Sequence, residues 1–255
     1  MEPHYVSDGP DDGTVVVLSG SLGSDVRMWQ PQVAPLADAG YRVVRHDHRG
    51  HGGSPVPPGP YTMDDLGGDA TELLDALGVA RVHWVGLSLG GMLGMWLAAH
   101  RPDRIASLTA CCTAAKLGPP EMWAERARMV SEHGTGAVAE AVVGRWFTPE
   151  FAAAHPDWID FYQRMVAATP AEGYAGCCRA IERMDLLDAL GTITAPTLVI
   201  SGAKDQATPP EHGQRIADGV PGARFEVIDD AAHLGSAERP EAVTSLLLDH
   251  LKEAS

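Results

Sequence analysis

The fold is decided by the stretch Val82-His83-Trp84-Val85-Gly86-Leu87-Ser88-Leu89-Gly90-Gly91-Met92. A run of residues typical of a β-strand ends at Gly86, and beyond Leu89 the apolar residues recur at the spacing of a helix. The pattern G-x-S-x-G between them predicts a tight strand-to-helix turn with Ser88 at its tip. Glycine at positions 86 and 90 makes this turn possible, because a β-carbon at either would crowd the opposite arm. We therefore predict Ser88 as a nucleophile. Alternatively, the glycines only permit close packing of strand and helix, and the serine is incidental.

The composition restricts the classes of function. A chain of 255 residues can bury one sizeable core, as a single domain with an insertion. Its formal net charge of -15 argues against non-specific binding to nucleic acid or anionic membranes. No run reaches transmembrane length, and the opening residues lack the basic and apolar regions of a signal peptide. We expect a cytoplasmic protein with neither nucleic acid nor membrane as a partner, and the sequence gives no account of its oligomeric state.

The four cysteines form two vicinal pairs, Cys111-Cys112 and Cys177-Cys178. Neither pair has the spacing of zinc ligands or of a disulfide framework. We expect buried or spectator thiols in a reducing compartment.

Strand-like and helical patterns alternate over two parts of the chain, which predicts an α/β fold: a mostly parallel central sheet flanked by helices. An Asp8-Gly9 turn favours a first hairpin with the following strand. A helix is predicted over residues 62–77, with Gly78 as its stop, and another over residues 238–251. The other predicted strands cover residues 14–18, 42–45, 105–110, 195–202 and 224–228.

The alternation stops between about residues 114 and 190, where helical stretches rich in Met, Trp and Ala replace it. Because the αβ pattern then resumes, we predict a helical cap at 114–190 inserted into a core of residues 1–113 and 191–255. The cap helices are interrupted at Pro119-Pro120, Gly134, Pro149, Pro156 and Pro170.

A serine hydroxyl is a poor nucleophile and needs a base, which needs an orienting acid. In hydrolases with a nucleophile at a strand-to-helix turn, these follow in the order Ser, Asp, His. Asp205 and His233 each follow a predicted strand, and ligands of open αβ sheets bind beyond the carboxyl ends of the strands. We therefore predict that Ser88, Asp205 and His233 converge as catalytic residues. Asp229 and Asp230 compete as the acid, but on the histidine's own loop they suit turn or N-cap roles better.

The tetrahedral oxyanion of such a reaction needs backbone donors. One is predicted at the amide of Leu89, directly after the nucleophile. The other should come from the loop after the strand of residues 14–18, with Leu22 as first choice and Ser21 as second. Alternatively, that loop is only a glycine-rich turn.

Three histidines at positions 46, 48 and 51 suggest a metal site. No acidic cluster and no i,i+4 helical pair accompanies them. A polar turn held by hydrogen bonds of Asp47 and Arg49 is the better interpretation, so we predict no metal, and the chemistry needs no organic cofactor.

Further motifs are S-G-S-L-G with Met28-Trp29, D-H-R-G-H-G-G-S, P-P-G-P-Y-T, T-A-A-K-L-G with P-E-M-W, R-W-F-T-P, G-Y-A-G-C-C, G-A-K-D with T-P-P, and A-H-L. On these motifs and G-L-S-L-G-G-M the chain resembles the α/β-hydrolases over nearly its whole length. It most resembles the 3-oxoadipate enol-lactonases of the β-ketoadipate pathway of aromatic catabolism. Ser88, Asp205 and His233 match the family's triad residue by residue. The motifs at 113–123, 145–149 and 173–178 are more specific to this subfamily. Gly20-Ser21 stands where many α/β-hydrolases have His-Gly, and enol-lactonases likewise tend to lack that histidine.

The resemblance implies a serine hydrolase that opens 3-oxoadipate enol-lactone to 3-oxoadipate through an acyl-enzyme, with a small molecule as its partner. A related carboxylesterase, a C–C hydrolase or a perhydrolase on the same triad is the alternative. A haloalkane dehalogenase is disfavoured, because that chemistry uses an aspartate where Ser88 stands. A non-catalytic, hydrolase-like ligand-binding protein is the alternative from a different class.

The implied lactone carries a carboxylate, whereas the net charge of the chain repels anions at long range. Binding it calls for a local cation, best an arginine that grips both oxygens. Arg145 is the first candidate, because the adjacent Trp146 would exclude water and strengthen the pair. Otherwise Arg145 is a surface residue packed on Trp146. Arg126, Arg128 and Arg179 are alternatives, because the helix phase cannot be fixed from sequence.

Overall fold

The central strand of the sheet, β4 (Val82–Leu87), is buried along its whole length. The computed structural model describes residues 2–254. The other strands are β1 (Tyr5–Asp8), β2 (Val15–Ser19), β3 (Arg42–His46), β5 (Ile105–Cys111), β6 (Thr197–Gly202) and β7 (Arg224–Ile228).

The strands form one sheet in the order β1-β3-β2-β4-β5-β6-β7. All neighbours are parallel except β1 and β3. In register, Ser19 lies beside Gly86, Leu87 beside Cys111, and Gly202 beside Ile228. The carboxyl ends of the parallel strands therefore meet at one edge, and the loops that follow them converge there. The predicted mostly parallel sheet is confirmed.

The pairing of β1 differs from the predicted hairpin. β1 runs antiparallel to β3, with Tyr5 beside His46, and does not pair with the following strand β2. Both edges of β2 are occupied by β3 and β4, because its apolar run is buried in the middle of the sheet. The outer edge of β3 remains for β1, where Asp8 pairs with Arg45 at 2.8 Å.

The helix predicted over residues 62–77 is observed as α2 (Met63–Ala76) and the one predicted over 238–251 as α11 (Pro240–Glu253), whereas the sequence analysis predicts no helix over 30–38, 210–219 or 235–238. The side chains of Thr62 and Asp65 form a capping box at the start of α2, and Gly78 follows its end with a φ of 67°. Outside the residues of the predicted cap, the helices are α1 (Gln30–Asp38), α2 (Met63–Ala76), α3 (Leu89–His100), α9 (Pro210–Gly219), α10 (Gly235–Glu238) and α11 (Pro240–Glu253). α1 packs against α11, and α2 packs against α3.

Between β5 and β6 the chain is helical, as predicted. The helices there are α4 (Pro120–His133), α5 (Gly136–Val143), α6 (Pro149–Ala154), α7 (Pro156–Ala168) and α8 (Ala171–Arg183). The predicted breaks fall at helix ends, because proline is tolerated in a first helical turn and disrupts an interior one. Aromatic side chains of this segment, including Trp146 and Tyr174, are buried in one cluster with the residues of the sheet. The boundaries of core and cap stay predictions.

All four cysteines are buried free thiols, as expected. Burial raises the pKa of Cys111 and of Cys178 to about 12. Within residues 2–254, none of the helices combines the length and apolar character needed to span a bilayer.

Candidate active site

The turn between β4 and α3 holds Ser88 in a strained backbone conformation, with φ 56° and ψ -113°. A side chain other than that of glycine rarely adopts such a φ, and the strain persists only where the surroundings enforce it. A β-carbon on Gly86 would collide with the backbone of Gly90, and one on Gly90 with the carbonyl of Ser19. The predicted crowding is confirmed at Gly86, whereas at Gly90 the neighbour that excludes a β-carbon is Ser19 of β2 and not the opposite arm of the turn.

Hydrogen bonds from neighbouring elements hold this turn in place. The N–H of Ser88 donates to the carbonyl oxygen of Cys111 at 3.0 Å. The carbonyl oxygen of Ser88 accepts from the Thr113 hydroxyl at 2.7 Å and from the Met92 N–H at 2.9 Å. Because the turn is tied to β5 and α3, the Ser88 side chain lies at the N-terminus of α3, where the helix dipole favours negative charge.

Asp205 and His233 meet in the buried loops after β6 and β7. His233 Nδ1 lies 2.9 Å from Asp205 Oδ2, and both residues are less than 5% exposed. Thr208 donates its hydroxyl to Oδ2 at 2.8 Å and its N–H to Oδ1 at 2.9 Å. Burial alone would raise the pKa of Asp205, but the imidazole of His233 and the Thr208 donors outweigh it and lower the pKa. An ionised Asp205 can orient the imidazole and stabilise its protonated form.

The two competing aspartates do not approach the imidazole. Asp229 and Asp230 are exposed, and Asp230 lies 3.5 Å from Lys204 on the surface. Asp205 is therefore the carboxylate positioned on His233.

Ser88 and His233 line one cavity of about 50 Å³. Leu22 and Trp146 also line it. A hydroxyl and an imidazole in one cavity, with the buried carboxylate of Asp205 on the far nitrogen of the imidazole, can form and release an ester intermediate.

The loop after β2 brings the predicted oxyanion donors to this cavity. The Gly20 carbonyl oxygen accepts from the Gly90 N–H at 2.9 Å, which ties the loop to the Ser88 turn. The Ser21 N–H already donates to Met28 Sδ at 3.2 Å, whereas the Leu22 N–H has no acceptor within residues 2–254. Leu89 begins α3, where the helix supplies no acceptor for its N–H. The geometry favours Leu22 over Ser21.

Two buried histidines brace the same loop, a role that the sequence analysis missed. His51 Nε2 accepts from the Gly23 N–H at 3.0 Å, and its Nδ1–H donates to the Arg49 carbonyl oxygen at 3.1 Å. His48 Nε2–H donates to the Gly20 carbonyl oxygen at 2.9 Å. Burial, with the nearby His48, lowers the pKa of His51 to about 3. The only signal in the sequence was the spacing of the histidines after a strand.

Asp47 and Arg49, which lie among these histidines in the sequence, form the predicted polar turn. The carboxylate of Asp47 accepts from the N–H groups of Val26 and Gly53, at 2.8 and 2.9 Å. Arg49 donates to the carboxylate of Asp69 at 2.6 and 2.8 Å. Within residues 2–254, no group of His, Cys, Asp or Glu side chains is arranged to hold a metal. The polar turn is confirmed.

The structure separates the four candidate arginines. Arg128 is exposed and pairs with Glu125 and Glu132, and Arg179 pairs with Glu182. Arg126 and Arg145 both line the cavity instead.

The two arginines of the cavity are accompanied by further hydrogen-bond donors. Neither guanidinium forms an ion pair within residues 2–254. Burial, then the proximity of Arg126, lowers the pKa of Arg145. The Arg126 guanidinium stacks 4.7 Å from the Trp123 ring. The buried Trp123 Nε1 also lines the cavity and makes no hydrogen bond within the described residues, and the buried Tyr174 hydroxyl lies there beside Arg126. This side of the cavity is rich in donors and poor in acceptors.

Comparison with known proteins agrees with this architecture. The alpha/beta hydrolase fold family matches residues 13–240. The 3-oxoadipate enol-lactonase 2 of Acinetobacter baylyi is 38% identical, over 94% of this chain and 89% of the relative. The crystal structure of the enol-lactonase from Burkholderia xenovorans LB400 superposes with a TM-score of 0.95, at 42% identity, over 98% of this chain and 96% of that one. A thermophilic esterase from Thermogutta terrifontis, solved with malate bound, gives a TM-score of 0.93 at 32% identity, over 99% and 93%. The chain therefore belongs to the α/β-hydrolase family and is an ester-hydrolysing enzyme similar to 3-oxoadipate enol-lactonases.

Proposed function

We propose that the enzyme opens a small carboxylated enol-lactone, 3-oxoadipate enol-lactone, to 3-oxoadipate. The observation that carries the proposal is the set of side chains that line the cavity at Ser88. Ser88 and His233 line one part of it. Arg126 and Arg145 line another, and neither guanidinium has a carboxylate partner within residues 2–254. The name of the Acinetobacter baylyi relative, 3-oxoadipate enol-lactonase 2, supports the same substrate, and that of the Burkholderia xenovorans structure supports an enol-lactone.

Ser88, His233 and Asp205 act as nucleophile, base and orienting acid. Ser88 Oγ attacks the lactone carbonyl while His233 takes its proton, and the amides of Leu22 and Leu89 hold the oxyanion. The ring C–O bond breaks, and the leaving enol oxygen takes the proton from His233. The enol becomes the keto group, and water, activated by His233, releases the second carboxylate from the acyl-enzyme.

Arg145 and Arg126 bind the substrate carboxylate, with Trp146 as an apolar wall. A guanidinium without a carboxylate partner is available to a ligand, and two of them offset the repulsion from a net charge of -15. The Tyr174 hydroxyl and Trp123 Nε1 supply neutral donors beside them. Pairing with a carboxylate would also satisfy the buried Trp123 Nε1, which otherwise lacks an acceptor within the described residues.

A carboxylesterase of small acidic esters is the second candidate, supported by the malate-bound esterase among the relatives. A cytoplasmic location stays a prediction of the sequence.

Steady-state rates on the enol-lactone and on a panel of neutral esters and lactones test the proposal. The specificity constant for the enol-lactone should exceed those for the neutral compounds. A higher value for an acidic ester would favour the carboxylesterase, and equal values throughout would refute a carboxylate preference.

Arg145→Ala tests the residue assignment. The variant should lose far more of its specificity constant for the carboxylated lactone than for a neutral ester, because only the former uses the guanidinium. Arg128→Ala, which removes an exposed arginine already paired with Glu125, is the matched control. Equal losses on both substrates, or none, would show that Arg145 is not the partner of the carboxylate.

A further inference from the structure

A buried carboxylate outside the predicted triad joins the loop after β7, which carries His233, to the segment between α5 and α6. Glu238 ends the short helix α10 and is only 3% exposed. None of the ion pairs formed by residues 2–254 involves its side chain. A buried carboxylate is costly unless it is well hydrogen-bonded, so its partners indicate its role.

The two oxygens of Glu238 face different segments. Oε2 accepts from the N–H of Ala232 at 2.8 Å, directly before His233. Oε1 accepts from the N–H of Thr148 at 3.1 Å and, through a short contact, from the Thr148 hydroxyl. One carboxylate thus connects the residue before the proposed base to Thr148, which lies 90 positions before Glu238 in the chain.

A backbone bond completes the connection on the other side of the imidazole. The N–H of Leu234 donates to the carbonyl oxygen of Trp146 at 2.8 Å. Both neighbours of His233 are therefore tied to residues 146–148, which directly follow Arg145. The Thr148 hydroxyl also accepts from the Phe151 N–H at 3.3 Å and so caps α6.

We infer that Glu238 is a positioning residue that holds His233 and Arg145 in a fixed position relative to each other. It touches neither the nucleophile nor the cavity, and it acts through the backbone on both sides. The inference concerning Arg145 rests on the proposed function, whereas that concerning His233 requires only an ester hydrolase.

Glu238→Gln is the informative change because it keeps the size of the side chain and removes one acceptor. If the amide oxygen faces Thr148, the amide NH₂ faces the N–H of Ala232. If the amide flips, the NH₂ faces the N–H of Thr148. Either orientation leaves one buried N–H without an acceptor, so the two segments can no longer both be held.

Kinetics on two substrates, 4-nitrophenyl acetate and the carboxylated enol-lactone, separate positioning from stability. Rates are expressed per folded molecule, with the folded fraction taken from circular dichroism. Glu238→Gln should lower kcat for the neutral ester at least about tenfold with little change in KM, because the base is displaced. For the lactone, KM should rise as well, because Arg145 moves. Glu241→Gln, an exposed change three residues further on, should alter neither parameter.

Thr148 provides the second arm of the experiment. Thr148→Ser keeps both donors and should preserve the kinetics, whereas Thr148→Val loses the hydroxyl and should show the same kcat and KM pattern in weaker form. In combination with Glu238→Gln, Thr148→Val should add no further loss, since both changes break one connection. If Glu238→Gln does not fold, Thr148→Val alone carries the test.

Two results would overturn the inference. One is a Glu238→Gln variant, or where that fails to fold a Thr148→Val variant, whose kcat per folded molecule and KM equal those of the wild type. The other is multiplicative losses in the double variant. A wild-type enzyme that hydrolyses 4-nitrophenyl acetate but not the lactone would refute the proposed substrate and leave the kcat arm of the Glu238 experiment intact.

Discussion

His51, the buried histidine that braces the loop after β2, should make the stability of the fold depend on pH. His51 is fully buried and accepts from the Gly23 N–H, so a proton on Nε2 would place two N–H groups face to face without an acceptor. Burial lowers its pKa from 6.5 to about 3. Above pH 6.5 the folded and unfolded states are both neutral at this residue. As the pH falls from 6.5 towards 3, only the unfolded state takes up the proton, so stability is lost over that range.

His51→Gln isolates this contribution because glutamine does not titrate and its amide oxygen can still accept from Gly23. Each pH unit below 6.5 costs about 1.4 kcal/mol of unfolding free energy for one such histidine. Between pH 7 and pH 5 the integrated loss is about 2 kcal/mol, because the proton uptake is incomplete near 6.5. The variant should therefore lose about 2 kcal/mol less over that interval than the wild type. At pH 7 it should itself be about 1 kcal/mol less stable, because the bond to the Arg49 carbonyl is gone.

Urea unfolding followed by tryptophan fluorescence, at several values between pH 5 and pH 7, measures these differences. His133→Gln is the control, since that side chain is 65% exposed in the folded state. If wild type and His51→Gln lost the same free energy between pH 7 and pH 5, His51 would take up protons equally in both states. The argument from burial would then be refuted.

Further predictions concern the nucleophile, the acid and a pair of adjacent glycines. Ser88→Ala should stay folded and lose roughly a thousandfold or more in kcat on a neutral ester, and a near-normal rate would refute its role. Asp205→Asn should lower kcat severely in the same assay, whereas Asp230→Asn should lower it little, because, of these two aspartates, only Asp205 contacts the imidazole. The reverse order would assign the orienting acid to Asp230, on the loop after β7. Gly68→Ala should raise the unfolding free energy by about 0.5–1 kcal/mol, since its β-carbon meets open space on a helix. Gly67→Ala should lower it, because its β-carbon would collide with an indole ring; urea unfolding of both variants checks the pair.

The alternation of strands and helices was predictable because each strand of the parallel sheet is a short apolar run with clear ends. β7, for example, covers residues 224–228 as predicted. The partner of β1 was not predictable in the same way. Its sequence favours a local hairpin, but both edges of β2 are occupied by β3 and β4 in the sheet. Strand order is a property of the assembled sheet, which local patterns describe only for neighbours in sequence.

In the candidate site, too, some residues could be predicted from local patterns and others could not. Ser88, Asp205 and His233 could be predicted because each follows a strand, and parallel strands bring their carboxyl ends to one edge. The cap arginines could not be ranked, because the helix phase decides which side chains reach the cavity. Arg126 turns inward on α4, while Arg128, two residues on, faces solvent and pairs with acidic neighbours. A shift of two residues is about half a helical turn, so the two side chains lie on opposite faces.

The contacts that the sequence did not reveal share one physical property: a side chain reaches a backbone group far away in the chain. Glu238 and Thr148 are 90 positions apart, and His51 and Gly23 are 28 positions apart. A backbone N–H is present at nearly every position, so nothing in the sequence marks which one will be the partner. The partner is determined only when loops from different strands meet at the edge of the sheet. Because a buried polar group without its partner is costly, changes at Glu238 and His51 should disturb the site although neither residue lines the cavity.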